Sequence, residues 1–160
     1  MRDQGISVRA ATSGDLDLLV PLFEGYRAFY RCAPDTAGAR RFLRDRLNAS
    51  DSVILIAIDD RTAAAIGFVQ LYPTFSSLRM ARALILNDLY VSEAHRRHGV
   101  ARRLMDAARS FAEISGVVSL SLETAHDNAK ARALYESLGY ERDETFLSYA
   151  LRTTPKLAGG

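Results

Sequence analysis

Apolar and polar positions change period several times along the chain, and each change marks an element. Residues Ile6-Ser7-Val8-Arg9-Ala10 alternate as a half-buried strand does. Thr12, with Asp15 three residues on, is a capping-box-like helix start that uses Asp in place of Glu. Leu19, Leu22, Phe23, Tyr26 and Tyr30 then recur at helical spacing, and Cys32 reads as a small packing residue of the same helix. Pro21 lacks an N–H and predicts a kink there. A second helix is predicted over 36–47, started by Asp35 after Pro34. Residues 52–58 and 65–72, rich in Ile, Val and Leu, read as strands of a hairpin across the polar turn Asp59-Asp60-Arg61-Thr62.

A strand is predicted over 83–91 and a helix over 99–115, with Val100, Ala101, Leu104, Ala108, Phe111 and Ala112 on one face. Gly116 is a stop signal. Residues 117–123 alternate as a strand, 128–138 read as a helix ended by Gly139, and 145–151 read as a last strand. The small, polar segment 153–160 is predicted to be mobile. Nothing repeats and no linker interrupts the pattern, so the expectation is one mixed α/β domain over 1–152 with a flexible tail at 153–160.

Composition narrows the class. With 48% hydrophobic and 25% charged residues in 160, disorder is excluded as the main state. The longest apolar run, Val53 to Ile58, is too short to span a bilayer, and Met1-Arg2-Asp3-Gln4 leads into no apolar signal region. A lone cysteine forms no internal disulfide. These readings predict a cytoplasmic protein with no membrane partner. A net charge of +2 is too small to drive binding to nucleic acid across a whole face.

Charge is informative locally. Arg96, Arg97, Arg102 and Arg103 flank a predicted helix start at Gly99, with His95 and His98 beside them. A helix N-terminus favours anions and disfavours cations. The cluster is therefore unfavourable unless an anion occupies it, and Gly99 and Ala101 leave the backbone unobstructed. Strand, small-residue turn and helix N-terminus form a phosphate-binding arrangement. It is neither a P-loop nor a GxGxxG pattern, and a solvated basic turn is the alternative.

Arg96-Arg97-His98-Gly99-Val100-Ala101 resembles the Arg/Gln-x-x-Gly-x-Gly/Ala motif of the GNAT superfamily of acetyl-CoA-dependent N-acetyltransferases. Asp88-Leu89-Tyr90-Val91-Ser92-Glu93 resembles that family's central strand and its exit. Asn128-Ala129-Lys130-Ala131-Arg132-Ala133-Leu134-Tyr135, leading to Gly139-Tyr140, is similar to its second signature. The likeness runs in matching order over nearly the whole chain. It implies a single GNAT-like α/β domain, with a mixed, mostly antiparallel sheet of six to seven strands flanked by about four helices. It also implies acetyl-CoA as cosubstrate, no metal and an amine acceptor. A homodimer is compatible, since family members commonly pair.

By the same resemblance, backbone N–H groups of Arg97, His98, Gly99, Val100, Ala101 and Arg102 cradle the coenzyme A pyrophosphate, and Arg96 adds positive charge. Pantetheine pairs with the backbone of Leu89, Tyr90 and Val91, where the central strand splays from its neighbour. Asn128 touches the pantetheine arm; as a residue it is also a good helix N-cap, and the two roles are compatible. Tyr135 matches the tyrosine that protonates the departing thiolate. From the residues alone it equally fits a core face shared with Ala131, Leu134 and Leu138.

Acetyl transfer needs a neutral amine, and an alkylammonium of pKa near ~10 is only about 0.1% deprotonated at pH 7. A base must remove that proton. Backbone N–H groups of the central strand would stabilise the oxyanion. No protein nucleophile is needed, so Cys32 is not a catalytic candidate. Some family members carry a glutamate where Asn87 stands. Asp88 is adjacent but faces the other way in a regular strand, unless a bulge reorients it to hold the amine. Glu24 and Glu123 are further carboxylates.

The resemblance places acceptor recognition near Phe23 to Arg44 and near Pro73. Tyr26, Phe29 and Tyr30 fit either an apolar helix face or a cation–π surface for the amine. The stretch Gly67 to Ser77, followed by Asn87 to Val91, looks like a subgroup of polyamine and other small-amine acetyltransferases. That favours a diamine, polyamine or amino acid as acceptor. The competing classes are a non-catalytic acyl-CoA sensor, an enzyme acting on protein or peptide lysine, and an Arg-rich nucleic-acid module.

Overall fold

The computed structural model describes residues 5–155. Met1-Arg2-Asp3-Gln4, read above for a signal region, and 156–160 of the predicted tail lie outside the described residues. The chain divides into two compact units, one ending at Glu123 and the other starting at Thr124.

The first unit is built on five strands in the order β1 (Ile6–Ala10), β2 (Val53–Asp59), β3 (Ala64–Ser76), β4 (Ala81–Val91) and β5 (Leu120–Leu122). All neighbours are antiparallel except β4 and β5, which are parallel. One face is covered by α1 (Leu16–Phe29) and α2 (Thr36–Ala49), where Leu19, Val20, Leu22, Ala39 and Leu43 pack on Ile54, Ile56 and Phe68. Each such fully buried large side chain contributes roughly 1.5–3 kcal/mol. The other face is covered by α3 (Val100–Ile114), which buries Val100, Leu104, Met105, Ala108 and Ala112. Leu104 reaches Gly67, the neighbour of Phe68 in β3, and consecutive strand residues face opposite sides.

Local chemistry sets the helix ends as expected. Asp15 accepts from the Thr12 N–H at 2.8 Å and takes both terminal nitrogens of Arg9, at 2.7 and 2.8 Å, which ties β1 to the start of α1. Asp35 accepts from the Gly38 N–H at 2.8 Å and starts α2. The helix α1 continues through Pro21. Cys32 is not on that helix and is not buried. The chain turns out of α1 through Arg31 at φ 61°, and the cysteine is exposed in the loop that follows.

Among the described residues the sheet has five strands rather than six to seven. The fifth is confined to Leu120–Leu122, within the predicted 117–123. The predicted strand at 145–151 is absent from the second unit. Asp143 takes the backbone N–H groups of Thr145 and Phe146, at 2.8 and 3.1 Å, so donors that a ladder would use close a turn. Phe146, Leu147, Tyr149 and Leu151 are exposed. The hairpin of β3 and β4 is longer than its pattern suggests, because Pro73 falls inside β3. Strand β2 ends opposite Leu71, so Pro73 lies where β3 is paired on one side only.

In the second unit, α4 (Ala129–Ser137) is capped by Asn128, whose side chain accepts from the Ala131 N–H at 3.2 Å. Gly139 at φ 86° ends it, and the Tyr140 N–H returns to the Tyr135 carbonyl at 3.1 Å.

Candidate active site

Strand β4 loses one neighbour midway. It pairs with β5 only at Leu84–Leu120, Ile85–Ser121 and Leu86–Leu122, and from Asn87 to Val91 it pairs with β3 alone. The backbone of Leu89, Tyr90 and Val91 lies in this stretch. At the parting point the β3–β4 register slips: Gln70 faces Asp88 and Leu71 faces Leu86, so Asn87 is the extra residue of a bulge.

The bulge turns Asp88 onto the α1–α2 face beside Tyr90, where it is 2% exposed. Asn87 stays exposed, yet its Nδ2 donates to Asp88 Oδ1 at 2.8 Å. Gln70 Nε2 donates to Asp88 Oδ2 at 2.5 Å and to the Tyr72 hydroxyl at 2.9 Å, and Ser52 Oγ donates to Gln70 Oε1 at 3.2 Å. The Asp88 carboxylate also acts on Tyr26: burial first, and the Asp88 charge second, push its pKa well up. The same two causes lead the rise of Tyr72 to about 12. Both phenols therefore stay protonated at neutral pH. All these donors are neutral. No cation among the described residues pairs with Asp88, and a buried carboxylate so placed is suited to receive one.

The other carboxylates are differently placed. Glu24 accepts from Arg27 at 2.7 Å and from the Asp35 N–H at 2.9 Å, which fastens the α1–α2 connection. Glu123 is exposed beyond β5. Gly25 of α1 makes room for Tyr90, since a Cβ there would lie 2.4 Å from the Tyr90 hydroxyl. Of the helix aromatics, Tyr26 packs on Phe68, whereas Phe29 and Tyr30 are exposed.

Beyond Val91 the chain passes through a short 3-10 turn (Glu93–His95) into the basic loop. Arg97 and Gly99 both have positive φ, 66° and 77°, and Arg96, Arg97, His98 and Gly99 are exposed. Such a backbone forms an anion-binding concavity. A Cβ on Gly99 would meet nothing within 4 Å, so the space above it is open. Gly99 caps α3 with no side chain, and the first helical bond runs from Arg103 to Gly99, leaving the N–H groups of Val100 and Ala101 without intrahelical acceptors. The arginines do not all face the loop. Arg96 folds back, bonding the Val91 carbonyl at 3.1 Å with its guanidinium over Tyr90, and Arg103 bonds the Ile6 carbonyl at 2.9 Å. His95 Nδ1 lies 2.8 Å from Ser92 Oγ.

Asn128 and Tyr135 both belong to α4 of the second unit. There the Tyr135 ring lies 6.1 Å from that of Tyr140. Among the described residues no group of three His, Cys, Asp or Glu could hold a metal ion, and no helix is long and apolar enough to cross a membrane. Sequence reasoning missed Gln70 and Tyr72 as members of the Asp88 network. The one available signal was Gln70, a polar residue at an inward position between Phe68 and Tyr72.

The profile of the Acetyltransferase (GNAT) family matches residues 19–140. The uncharacterized N-acetyltransferase YhfO of Bacillus subtilis (strain 168) is 47% identical over 151 residues, 94% of this chain and 100% of that protein. The crystal structure of a probable acetyltransferase superposes with a TM-score of 0.88 at 41% identity, covering 94% of this chain and 99% of the other. An aminoglycoside N-acetyltransferase in complex with CoA shares the fold, with a TM-score of 0.77 at 20% identity over 95% and 98% of the two chains.

Proposed function

The chain belongs to the GNAT acetyltransferase family, and we propose from that premise that it acetylates the primary amine of a small molecule in a ternary complex with acetyl-CoA. One observation carries the acceptor reading: Asp88 is a buried carboxylate held by neutral donors, and by no cation among the described residues, at the point where β4 leaves β5. An ionised carboxyl offers about four acceptor positions. Asn87 and Gln70 use two, and an ammonium would take another. Asn87 is exposed, so this side of the carboxylate lies one side chain from solvent.

In this reading the pyrophosphate lies on the backbone of Arg97 to Arg102, with Arg96 nearby, and pantetheine follows Leu89, Tyr90 and Val91. Asn128 contacts the pantetheine arm while capping α4. Asp88 orients the amine, which gives up its ammonium proton to water before attack. The nitrogen lone pair then bonds to the acetyl carbon. The C–S bond breaks, Tyr135 donates a proton to the departing thiolate, and the proton shed by the new amide nitrogen restores the phenol through water. Holding both substrates together supplies the proximity term. The protein is proposed to act in the cytoplasm, as a monomer or a homodimer.

The test is release of free CoA from acetyl-CoA against diamines, polyamines, amino acids, aminoglycosides and lysine peptides. Release dependent on a small amine supports the reading. Release only with lysine peptides, or none with acetyl-CoA still bound, refutes it.

A further inference from the structure

Beside the Asp88 network lies an open pocket of about 360 Å³ lined by Phe42, Arg46, Asp51 and Tyr72. Its hydrogen-bonding character follows from Asp88. A carboxylate only accepts, so the Gln70 amide must turn its nitrogen toward Asp88. Its second N–H then goes to the Tyr72 oxygen, and the Tyr72 proton is directed elsewhere. No described residue accepts it.

The second donor is Arg46. Its guanidinium lies 5.3 Å from the Phe42 ring centroid, and Nε lies 2.8 Å from Asp51 Oδ1. That Nε is buried and has no aligned hydrogen-bond acceptor. The terminal nitrogens bond no described residue. Asp51 sits at Nε, while the terminal nitrogens of Arg46 and the Tyr72 hydroxyl belong to the same pocket lining and carry protons that no described residue accepts. Such donors suit an anionic oxygen pair, and a planar guanidinium suits a carboxylate in particular.

We propose that this pocket binds the carboxylate of the acceptor, so that the substrate is an aminocarboxylate whose amine reaches Asp88. This rests on the acetyltransferase reading above. The Tyr72 hydroxyl and Asp88 Oδ2 both bond Gln70 Nε2, at 2.9 and 2.5 Å, so the two oxygens lie within about 5 Å of each other. An α-amino acid can reach both groups, and a dipeptide or an ω-amino acid reaches them with its chain bent.

The test pairs each acid with its less acidic analogue: alanine with alaninamide, 5-aminopentanoate with pentylamine, and glycylglycine with glycylglycinamide. 1,5-Diaminopentane serves as the dication. CoA release is measured for the parent protein, Arg46→Gln and Tyr72→Phe, and binding of the three acids in the presence of CoA is measured by calorimetry. The parent is expected to favour an acid over its analogue by about 10-fold to 100-fold, the range of one charge-assisted hydrogen bond. Each substitution should erode that preference, lowering kcat/KM far more for the acid than for its analogue. The three acids tell an α-amino acid, an ω-amino acid and a peptide apart. Turnover of the analogues or the diamine equal to or above that of all three acids overturns the pocket assignment and leaves the transferase reading standing. Arg46-dependent binding of an acid without any CoA release does the reverse. Absence of both overturns the proposal.

Discussion

Asn87 Nδ2 donates to Asp88 Oδ1 at 2.8 Å, a contact between consecutive residues whose side chains a regular strand would send to opposite faces. The bulge that permits it also puts Asp88 in register with Gln70 and leaves a carboxylate inside the fold without a cation.

That arrangement costs stability in the free protein, because burying an unpaired charge is unfavourable. Asp88→Asn keeps the shape and removes the charge. It should leave the melting temperature unchanged or raised, leave the acetyl-CoA KM unchanged, and lower kcat/KM for the amine by about 100-fold. Steady-state kinetics with a thermal melt check it. A lower melting temperature with unaltered amine kinetics would make Asp88 a structural residue only.

The pyrophosphate loop can be tested with an internal control. Gly99 and Gly116 both have positive φ, 77° and 68°, and a Cβ at either meets nothing within 4 Å. A side chain at either position therefore brings backbone strain of about 1–2 kcal/mol and no clash. Gly99→Val and Gly116→Val should lose similar stability. Only Gly99→Val should raise the acetyl-CoA KM, because its side chain enters the space the pyrophosphate needs. Parallel KM changes in the two variants would remove the loop assignment.

Much of this fold was legible because the deciding interactions are local. The Thr12–Asp15 and Asp35–Gly38 caps, the turn at 59–62 and the stop at Gly116 each lie within a few residues of sequence, and the structure has them where the pattern puts them. The two cofactor signatures are likewise contiguous. What was not legible depends on partners far along the chain. The extent of β5 is fixed by how far β4 accompanies it, and Pro73 is tolerated in β3 only because β2 stops short. The alternation of 145–151 carries no sign that Asp143 will take its N–H groups. Asp88 is a candidate from sequence, but Gln70 joins it only through strand pairing across 18 residues, and Tyr72 only through Gln70.

The β1–α1 tie gives a pH dependence. The Arg9 side chain, with burial opposing it and the Thr12 N–H helping, holds the Asp15 carboxyl far below the usual carboxylate range. A carboxylate depressed in the folded state stabilises fully above its unfolded pKa of about 3.9, and that stability is lost as pH falls toward the folded value. Arg9 is half exposed, so solvent screens part of the effect. Arg9→Met should lower stability by about 1 kcal/mol at pH 7, or about 2–4 °C in Tm. The gap between variant and parent should narrow as pH falls below about 4. Melts from pH 7 to pH 3 check it, and a constant gap would assign the loss to packing of the Arg9 stem.

Tyr135 is the proposed proton donor, and Tyr135→Phe separates that role from packing. The ring stays available to pack beside Tyr140, 6.1 Å away, and the backbone bond from the Tyr140 N–H to the Tyr135 carbonyl does not involve the side chain. Only the O–H is removed. A general acid acts in the transition state, where the thiolate develops, so its loss should lower kcat and kcat/KM together by about 100-fold or more. Acetyl-CoA affinity, measured directly by calorimetry, should change little. A packing residue behaves otherwise: loosening α4 would weaken cofactor binding and turnover alike and lower the melting temperature. Equal losses in affinity and turnover would therefore return Tyr135 to the core face that its helical spacing also fits.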